Sequence, residues 1–283
     1  MSTAIRQWRG FKAATRLGWQ ISSNWTQPLV FVLYSVLRPL SAAFILVVMY
    51  RVISGGGANT AAYLAFLVSG VAFWSFVQYG FAGLSNGIAE DRGEYKMLKY
   101  VYTSPAHFYV YLLGRGLAQL ASAVASALIV LIVATIALGL PINPLHINYP
   151  LLLAASSLAL LAVIGLAMAF GVLLLQARDA HGYGELGSGV LYVISGAIFP
   201  ISVLPGILAT IASLSPLVYW MESIRRSLLG SQAIRMFPSL SDGDVLLRLL
   251  VTTAATLILA HLVFSWADRT ARQKGLIDME TNW

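Results

Sequence analysis

Apolar residues run through this chain in blocks too long for a soluble core helix, and short polar segments between them hold most of the charge. No Asp, Glu, Lys or Arg occurs from 52 to 89, from 116 to 177 or from 186 to 221. About 20 apolar residues cross a bilayer as a helix, so the pattern predicts spans over 28–53, 61–88, 108–138, 150–175, from about 186, and over 244–267. The run 116–177 holds two of them, joined by the turn LGLPINPLHINYP (138–150), whose prolines and asparagines break helix. The expected fold class is an all-α integral membrane protein of six transmembrane helices in a single domain covering 1–283.

The segments flanking these spans have patterns of their own. Over 4–24, Trp8, Phe11, Thr15 and Trp19 recur at helical spacing beside Arg9, Lys12 and Arg16, as expected of a helix at the headgroup level. The loop after the second span, EDRGEYKMLKYVYTSPAH (90–107), contains a short amphipathic helix over 90–102. Met97, Leu98, Val101 and Tyr102 share one face of it, with Glu94, Tyr95, Lys96 and Lys99 elsewhere on its surface. Thr103, Ser104 and Pro105 read as a stop, an N-cap and the first position of the next helix. A helix held between two spans suits either docking of a soluble partner or rest on the membrane surface.

The stretch SGAIFPISVLPGILATIASLSPLVYW (195–220) is apolar, yet it carries Pro200, Pro205 and Pro216. The run 186–221 is too long for one span and too short for two. Pro200 is expected to end span five early, and the chain then folds back as a re-entrant external segment over 200–230. After Pro216, Leu217, Trp220, Met221, Ile224 and Leu228 form an apolar stripe. Glu222, Arg225 and Arg226 form the opposite one, spaced for surface ion pairs and expected to face water. Irregular backbone at this depth needs protein or a water-filled cavity around it, so Pro200, Pro205, Pro216, Tyr219, Glu222 and Arg225 are candidate gate residues.

Lys and Arg counts set the orientation. With the N-terminus inside, Arg6, Arg9, Lys12, Arg16, Arg92, Lys96, Lys99, Arg115 and Arg178 are cytoplasmic and only Arg51 is outside through the second loop, a positive-inside signal. The later charges divide too evenly to decide, and segment length favours six spans with both termini cytoplasmic. Arg38 is read as the charge within a span, which makes it a functional candidate.

Composition narrows the chemistry. The chain is 58% hydrophobic and 10% charged, far from a soluble domain. Its net charge of +7 sits between spans and is explained by topology rather than by nucleic acid. There are no cysteines, so thiolate metal sites and disulfides are excluded. His107, His146, His181 and His261 stand apart without carboxylates at ligand spacing, and no metal or catalytic site is expected. Ser188, Ser195 and His261 lack the glycine two positions before the serine that an intramembrane serine protease would require. No cleaved signal peptide is read at the N-terminus.

Three motifs in order carry a resemblance: MLKYVYTSPAHFYVYLLGRGLA (97–118), with Gly114 and Arg115 opening span three; RDAHGYGELGS (178–188); and SGAIFP with the following LP, then SPLVYWMESIRR. Over nearly its full length the chain resembles the permease subunits of ABC-2-type exporters, with Ser215 where that family usually has Asn. The resemblance implies a half-transporter that pairs with a second copy of itself, or a related permease, and with separately encoded ABC ATPase subunits. The 90–102 helix would be the coupling helix. ATP and Mg would be bound by the ATPase, for this chain contains no G-x-x-x-x-G-K-[ST] and no cofactor site of its own. A passive channel or scaffold without an ATPase is the reading from a different class.

Arg38, Phe73, Trp74, Phe76, Tyr79, Tyr192 and Phe199 are the candidates for a substrate path; each aromatic equally suits packing or contact with membrane lipids. Within the family that the chain resembles, drugs, lipids and lipid-linked polysaccharides are handled. Short outside loops favour an amphipathic drug or lipid-like substrate, with polysaccharide as the alternative.

Overall fold

A computed structural model describes residues 3–23, 60–138, 142–177 and 182–276, with scattered single residues between 37 and 49. Among the described residues the chain is all-α, without strands. In order come α1 (Thr3–Ser23), α2 (Thr60–Gly93), α3 (Leu98–Thr103), α4 (Phe108–Leu138), α5 (Tyr149–Leu174), α6 (Tyr183–Ile194), α7 (Gly206–Leu214), α8 (Pro216–Leu229) and α9 (Asp242–Gln273). Short 3-10 turns at Pro144–His146, Ile201–Val203 and Gly230–Gln232 lie between them.

Helix starts follow their local chemistry. Asn148 accepts from Leu151 N at the head of α5, with Pro150 in its first turn. Ser215 accepts from Leu217 N at the head of α8, where Pro216 occupies the first position. Ser241 and Asp244 form a reciprocal capping box on α9. Each satisfies amides that have no partner within the helix.

Among the described residues, four helices are long and apolar enough to cross a membrane: Ala62–Gly93, Phe108–Ile136, Tyr149–Leu174 and Asp242–Gln273. The pair α7–α8, bent by 76°, makes a fifth if counted as one crossing. The 12 residues of α6 reach only about 18 Å at 1.5 Å per residue. The first predicted span, 28–53, lies mostly outside the described residues, and Arg38 lies outside them altogether.

α2 runs through the middle of the bundle against α4, α5, α6 and α8, while α9 packs on α5 and α8, and α1 lies along α4. Small residues let the helices close up, as they do where bilayer lipid replaces water as the solvent. Ala155, Ala159, Val163 and Ala167 form a buried ladder on α5. A side chain at Gly18 would run into the Arg115 carbonyl, and one at Gly114 into the Phe11 carbonyl, so α1 meets α4 backbone to backbone.

Three expectations need correction. Span five does not run to Pro200: α6 stops at Ile194, and Gly196 takes a left-handed φ of 73°, which breaks the helix before the proline is reached. The amphipathic helix over 90–102 is shorter than predicted, because Glu90–Gly93 form the last turn of α2 and only Leu98–Thr103 are helical. Ser104 caps the end of α3 rather than the start of α4, which begins at Phe108.

Candidate functional site

Two assemblies of polar side chains stand out, one at each end of the bundle. At the first, the acidic end of α2 meets Arg115, buried in the second turn of α4. Arg115 Nε lies 3.5 Å from Asp91 Oδ1 and its Nη2 lies 3.1 Å from Glu90 Oε2. The Tyr111 hydroxyl donates to Asp91 Oδ2 at 2.6 Å. Asp91 is fully buried, and a buried carboxylate is tolerable only with such partners. Arg115 therefore joins Arg38 as a charge within a predicted span, and Glu90, Asp91 and Tyr111 surround it.

The loop 94–107 is built onto this ion pair. Met97 N donates to Asp91 O, and the Glu94 and Tyr95 amides both donate to Glu90 O. Lys96 turns the chain through a left-handed φ of 50°. From the far side, Tyr102 donates to Asp268 Oδ1 on α9 at 2.7 Å and lies under Arg272, 4.6 Å from its ring centre. Burial, and then donation to Asp268, holds the Tyr102 hydroxyl protonated well above the usual tyrosine range. Gln7 of α1 accepts from His107 N at 2.9 Å. Arg92 donates to the Leu175 and Ala177 carbonyls that α5 leaves unpaired at its end. One short loop is thus fastened, directly or through α2, to α1, α4, α5 and α9.

The apolar face of α3 points into the bundle, not outward. Leu98 and Val101 are buried, while Met97 and Tyr102 are half-buried. This face fills the space between the ends of α2, α4 and α9, and burial there is worth about 1.5–3 kcal/mol per side chain. What the loop exposes is Glu94, Tyr95, Lys96, Lys99 and Tyr100, and beyond them Thr103, Pro105 and His107. Tyr100, 67% exposed with Lys99 Nζ 5.6 Å from its ring centre, escaped sequence reading.

At the opposite end sits α8, every residue of which is buried. Its charged stripe does not face water, contrary to expectation. Arg225 donates to the carbonyls of Gly196 (2.9 Å), Ala197 (2.8 Å) and Phe66 (3.3 Å). Glu222 pairs with Arg226 at 2.8 Å rather than with Arg225, and also accepts from Met236 N. Arg226 further holds Asp242 and the Leu240 and Phe237 carbonyls. The premature end of α6 and the loop before α9 leave backbone oxygens buried, and the two arginines satisfy them. Tyr219 donates to Ser213 O at 2.8 Å and bridges the bend between α7 and α8.

The aromatic candidates divide into two groups. Trp74 stacks on Tyr192 at 4.6 Å on the α6 side of α2. Phe73 and Phe76 meet Trp220 of α8 at 6.0 and 5.5 Å on the α4 side. Tyr79 and Phe199 are half-buried. Among the described residues no cluster of three metal-ligating side chains occurs.

A family model described as ABC-2 type transporter matches residues 11–229. The chain belongs to the ABC-2 type transporter family. It is an integral membrane protein and the transmembrane component of an ABC transporter, a kind of subunit that works with an ABC ATPase and is typically not itself catalytic. No curated protein matches it. The match takes in loop 94–107 and ends at Leu229, the last residue of α8, so both polar assemblies have their main parts within it. Sequence reading missed Asp91, Tyr111, Asp268 and Trp220 in this ABC-2 chain. The signal for the first was available: an Asp in the last turn of a span needs a cation at equal depth, and Arg115 is one.

Proposed function

We propose that this ABC-2 subunit is the permease of an ATP-driven exporter, moving an amphipathic drug-like or lipid-like molecule outward across the cytoplasmic membrane. The observation that carries the reading is the fastening of loop 94–107 to the ends of the long helices. A push on that loop is delivered to the bundle through Asp91–Arg115, Tyr102–Asp268 and Arg92 together. The ATPase subunit, with its ATP and Mg, would bear on Glu94, Tyr95, Lys96, Lys99 and Tyr100. Two copies of the permease would complete the transporter, with six spans and both termini cytoplasmic in each. Pro200 to Gly230 would then roof the outer end of the path, with α8 held rigid by Arg225 and Arg226.

Such coupling requires contacts that differ between two states of the ATPase. The test is affinity purification from the native host to see whether an ABC ATPase is retained, followed by substrate-stimulated ATP hydrolysis in liposomes. Retention of the ATPase, and stimulation by amphipathic compounds, is the expected result. A permease that never retains an ATPase sinks the reading.

A further inference from the structure

A cavity of about 660 Å³ lies between α1, loop 94–107 and the start of α4, a volume within the range of small-molecule sites. Its α1 side is a stripe at helical spacing, Arg6, Gly10, Ala13, Ala14 and Leu17, with Arg9 beside it. From Arg6 to Leu17 the stripe runs about 16 Å at 1.5 Å per residue, about half of the ~30 Å hydrocarbon core of a bilayer. That is the depth of one leaflet. α1 is fastened to the loop along this stripe: Gln7 accepts from His107 N, and a Cβ at Gly10 would meet that of Ala106 at 2.6 Å.

Charge in the wall is of one sign and sits at one end. Among the described residues, Arg6 and Arg9 are the charged side chains that line the cavity; both are exposed and neither has an ion pair. Two of the three hydroxyls in the wall are engaged, Ser104 with Ala106 O and Tyr111 with Asp91, and the third, on Tyr100, is exposed. Beyond the arginines the lining is apolar, with Met97 and Val101 across from the small residues of α1. Guanidinium forks match phosphate oxygens, so the cavity has a head for an anion and a trough for a hydrocarbon chain.

We propose that this cavity holds an anionic phospholipid of the surrounding bilayer, with its phosphate on Arg6 and Arg9 and one acyl chain along Ala13, Ala14 and Leu17. A phosphatidylglycerol headgroup suits it. The ammonium of a zwitterionic headgroup would find no carboxylate among the described residues of the wall. Trp8 and Trp19, exposed on α1, suit placement at headgroup level, where such a lipid is at hand. As a binding site this is independent of the exporter reading. Within that reading, the lipid would join α1 to Met97 and Val101 of the loop on which the ATPase bears.

The test uses the full chain in micelles of a neutral detergent and two probes with the same diazirine-bearing acyl chains, a phosphatidylglycerol and a phosphatidylcholine. Crosslinks are mapped by mass spectrometry on peptides carrying Ala13, Leu17, Met97 and Val101. The phosphatidylglycerol is expected to label these at least about five-fold more, the attraction of one arginine to an anionic headgroup. Arg6→Gln with Arg9→Gln should abolish that preference. Lys12→Gln with Arg16→Gln removes equal charge from α1 outside the wall and should keep it. Ala13→Phe, which fills the trough, should abolish labelling by both probes. Equal labelling by the two probes, absence of labelling on these peptides, a preference that survives the loss of Arg6 and Arg9, or an equal fall in both double variants overturns the proposal. If Ala13→Phe fails to fold, unlabelled phosphatidylglycerol, phosphatidylcholine and inorganic phosphate compete against the phosphatidylglycerol probe on the native chain. Displacement by phosphatidylglycerol alone supports the site. Equal displacement by phosphatidylcholine, or displacement by inorganic phosphate, overturns it. Loss of the ATPase on purification would count against the exporter reading and leave this result intact.

Discussion

The guanidinium carbon of Arg225 lies 3.4 Å from the centre of the Phe66 ring, and its Nη2 donates to the Phe66 carbonyl. One side chain of α8 thus grips the central helix α2 while both its terminal nitrogens hold the broken end of α6, Nη1 on the Gly196 carbonyl and Nη2 on that of Ala197. Phe66 of α2, the Gly196–Ala197 end of α6 and Arg225 of α8 meet at one planar fork, although Phe66 stands 159 residues from Arg225 in the chain. Arg225→Lys cannot reproduce it, since an ammonium is a point donor without the fork geometry. Leaving the Gly196 and Ala197 carbonyls short of a donor costs about 1–3 kcal/mol each. Thermal unfolding of the detergent-solubilised protein should show a clear fall for both Arg225→Lys and Arg225→Leu, and an unchanged midpoint for Arg225→Lys would refute the clamp.

Gly70 tests the same junction from α2. A Cβ at this position would run into the Ala197 carbonyl oxygen and lie 2.9 Å from Arg225 Nη2. The obstruction is backbone, which cannot swing aside as a flexible side chain can. Gly70→Ala should destabilise by about 1–3 kcal/mol through overpacking. Gly189→Ala, where a Cβ meets nothing within 4 Å, is the matched control in the same thermal assay.

The long helices were legible because each apolar run exceeds what a soluble helix needs: 108–138 was predicted and Phe108–Leu138 is found, 150–175 against Tyr149–Leu174. The interruption of the chain was legible in outline from the prolines: α7 and α8 are short helices that meet at a bend of 76°. What periodicity could not show is where a polar stripe finds its partners. Glu222, Arg225 and Arg226 read as a solvated face because water is the default partner for charge. Here the partners are backbone oxygens exposed by the early end of α6 at Gly196 and by the turns before α9, and these exist only in three dimensions. The stripe of Leu98 and Val101 was legible as apolar, but such a face says that something covers it and not from which side.

Topology has its own test at Ser202, which is exposed in the turn before α7. The reading of six spans puts it outside. With no native cysteine in the chain, Ser202→Cys gives a single reactive thiol. A membrane-impermeant maleimide added to intact cells should label it, and Lys99→Cys should be labelled only after the cells are opened. The reverse pattern would invert the orientation.

The ion pair at the end of α2 makes a stability prediction that separates its members. Arg115→Gln leaves Asp91 buried without its cation, a loss of about 3–5 kcal/mol for a broken buried pair. Tyr111→Phe removes one hydrogen bond to the same carboxylate and should cost less, about 1–3 kcal/mol. Equal effects in thermal unfolding would mean that Asp91 is held by Tyr111 alone.

Leu98 and Tyr100 lie two residues apart on α3 and face opposite ways, which permits a decision between folding and docking. Leu98 is 1% exposed in the cluster with Ile88, Phe108 and Leu112, so Leu98→Asp buries an unpaired carboxylate and should unfold the loop whether or not a partner binds there. Tyr100 is exposed and stacks on nothing but the Lys99 cation. Tyr100→Asp should leave the thermal midpoint of the isolated permease within about 0.5 kcal/mol of its starting value, as expected of a surface change. In the complex the same substitution should lower ATPase retention at least about five-fold, the loss of an interface aromatic worth more than about 1 kcal/mol. Full retention by Tyr100→Asp, Lys99→Glu and Tyr95→Asp alike would show that the outer face of loop 94–107 is not where the ATPase bears.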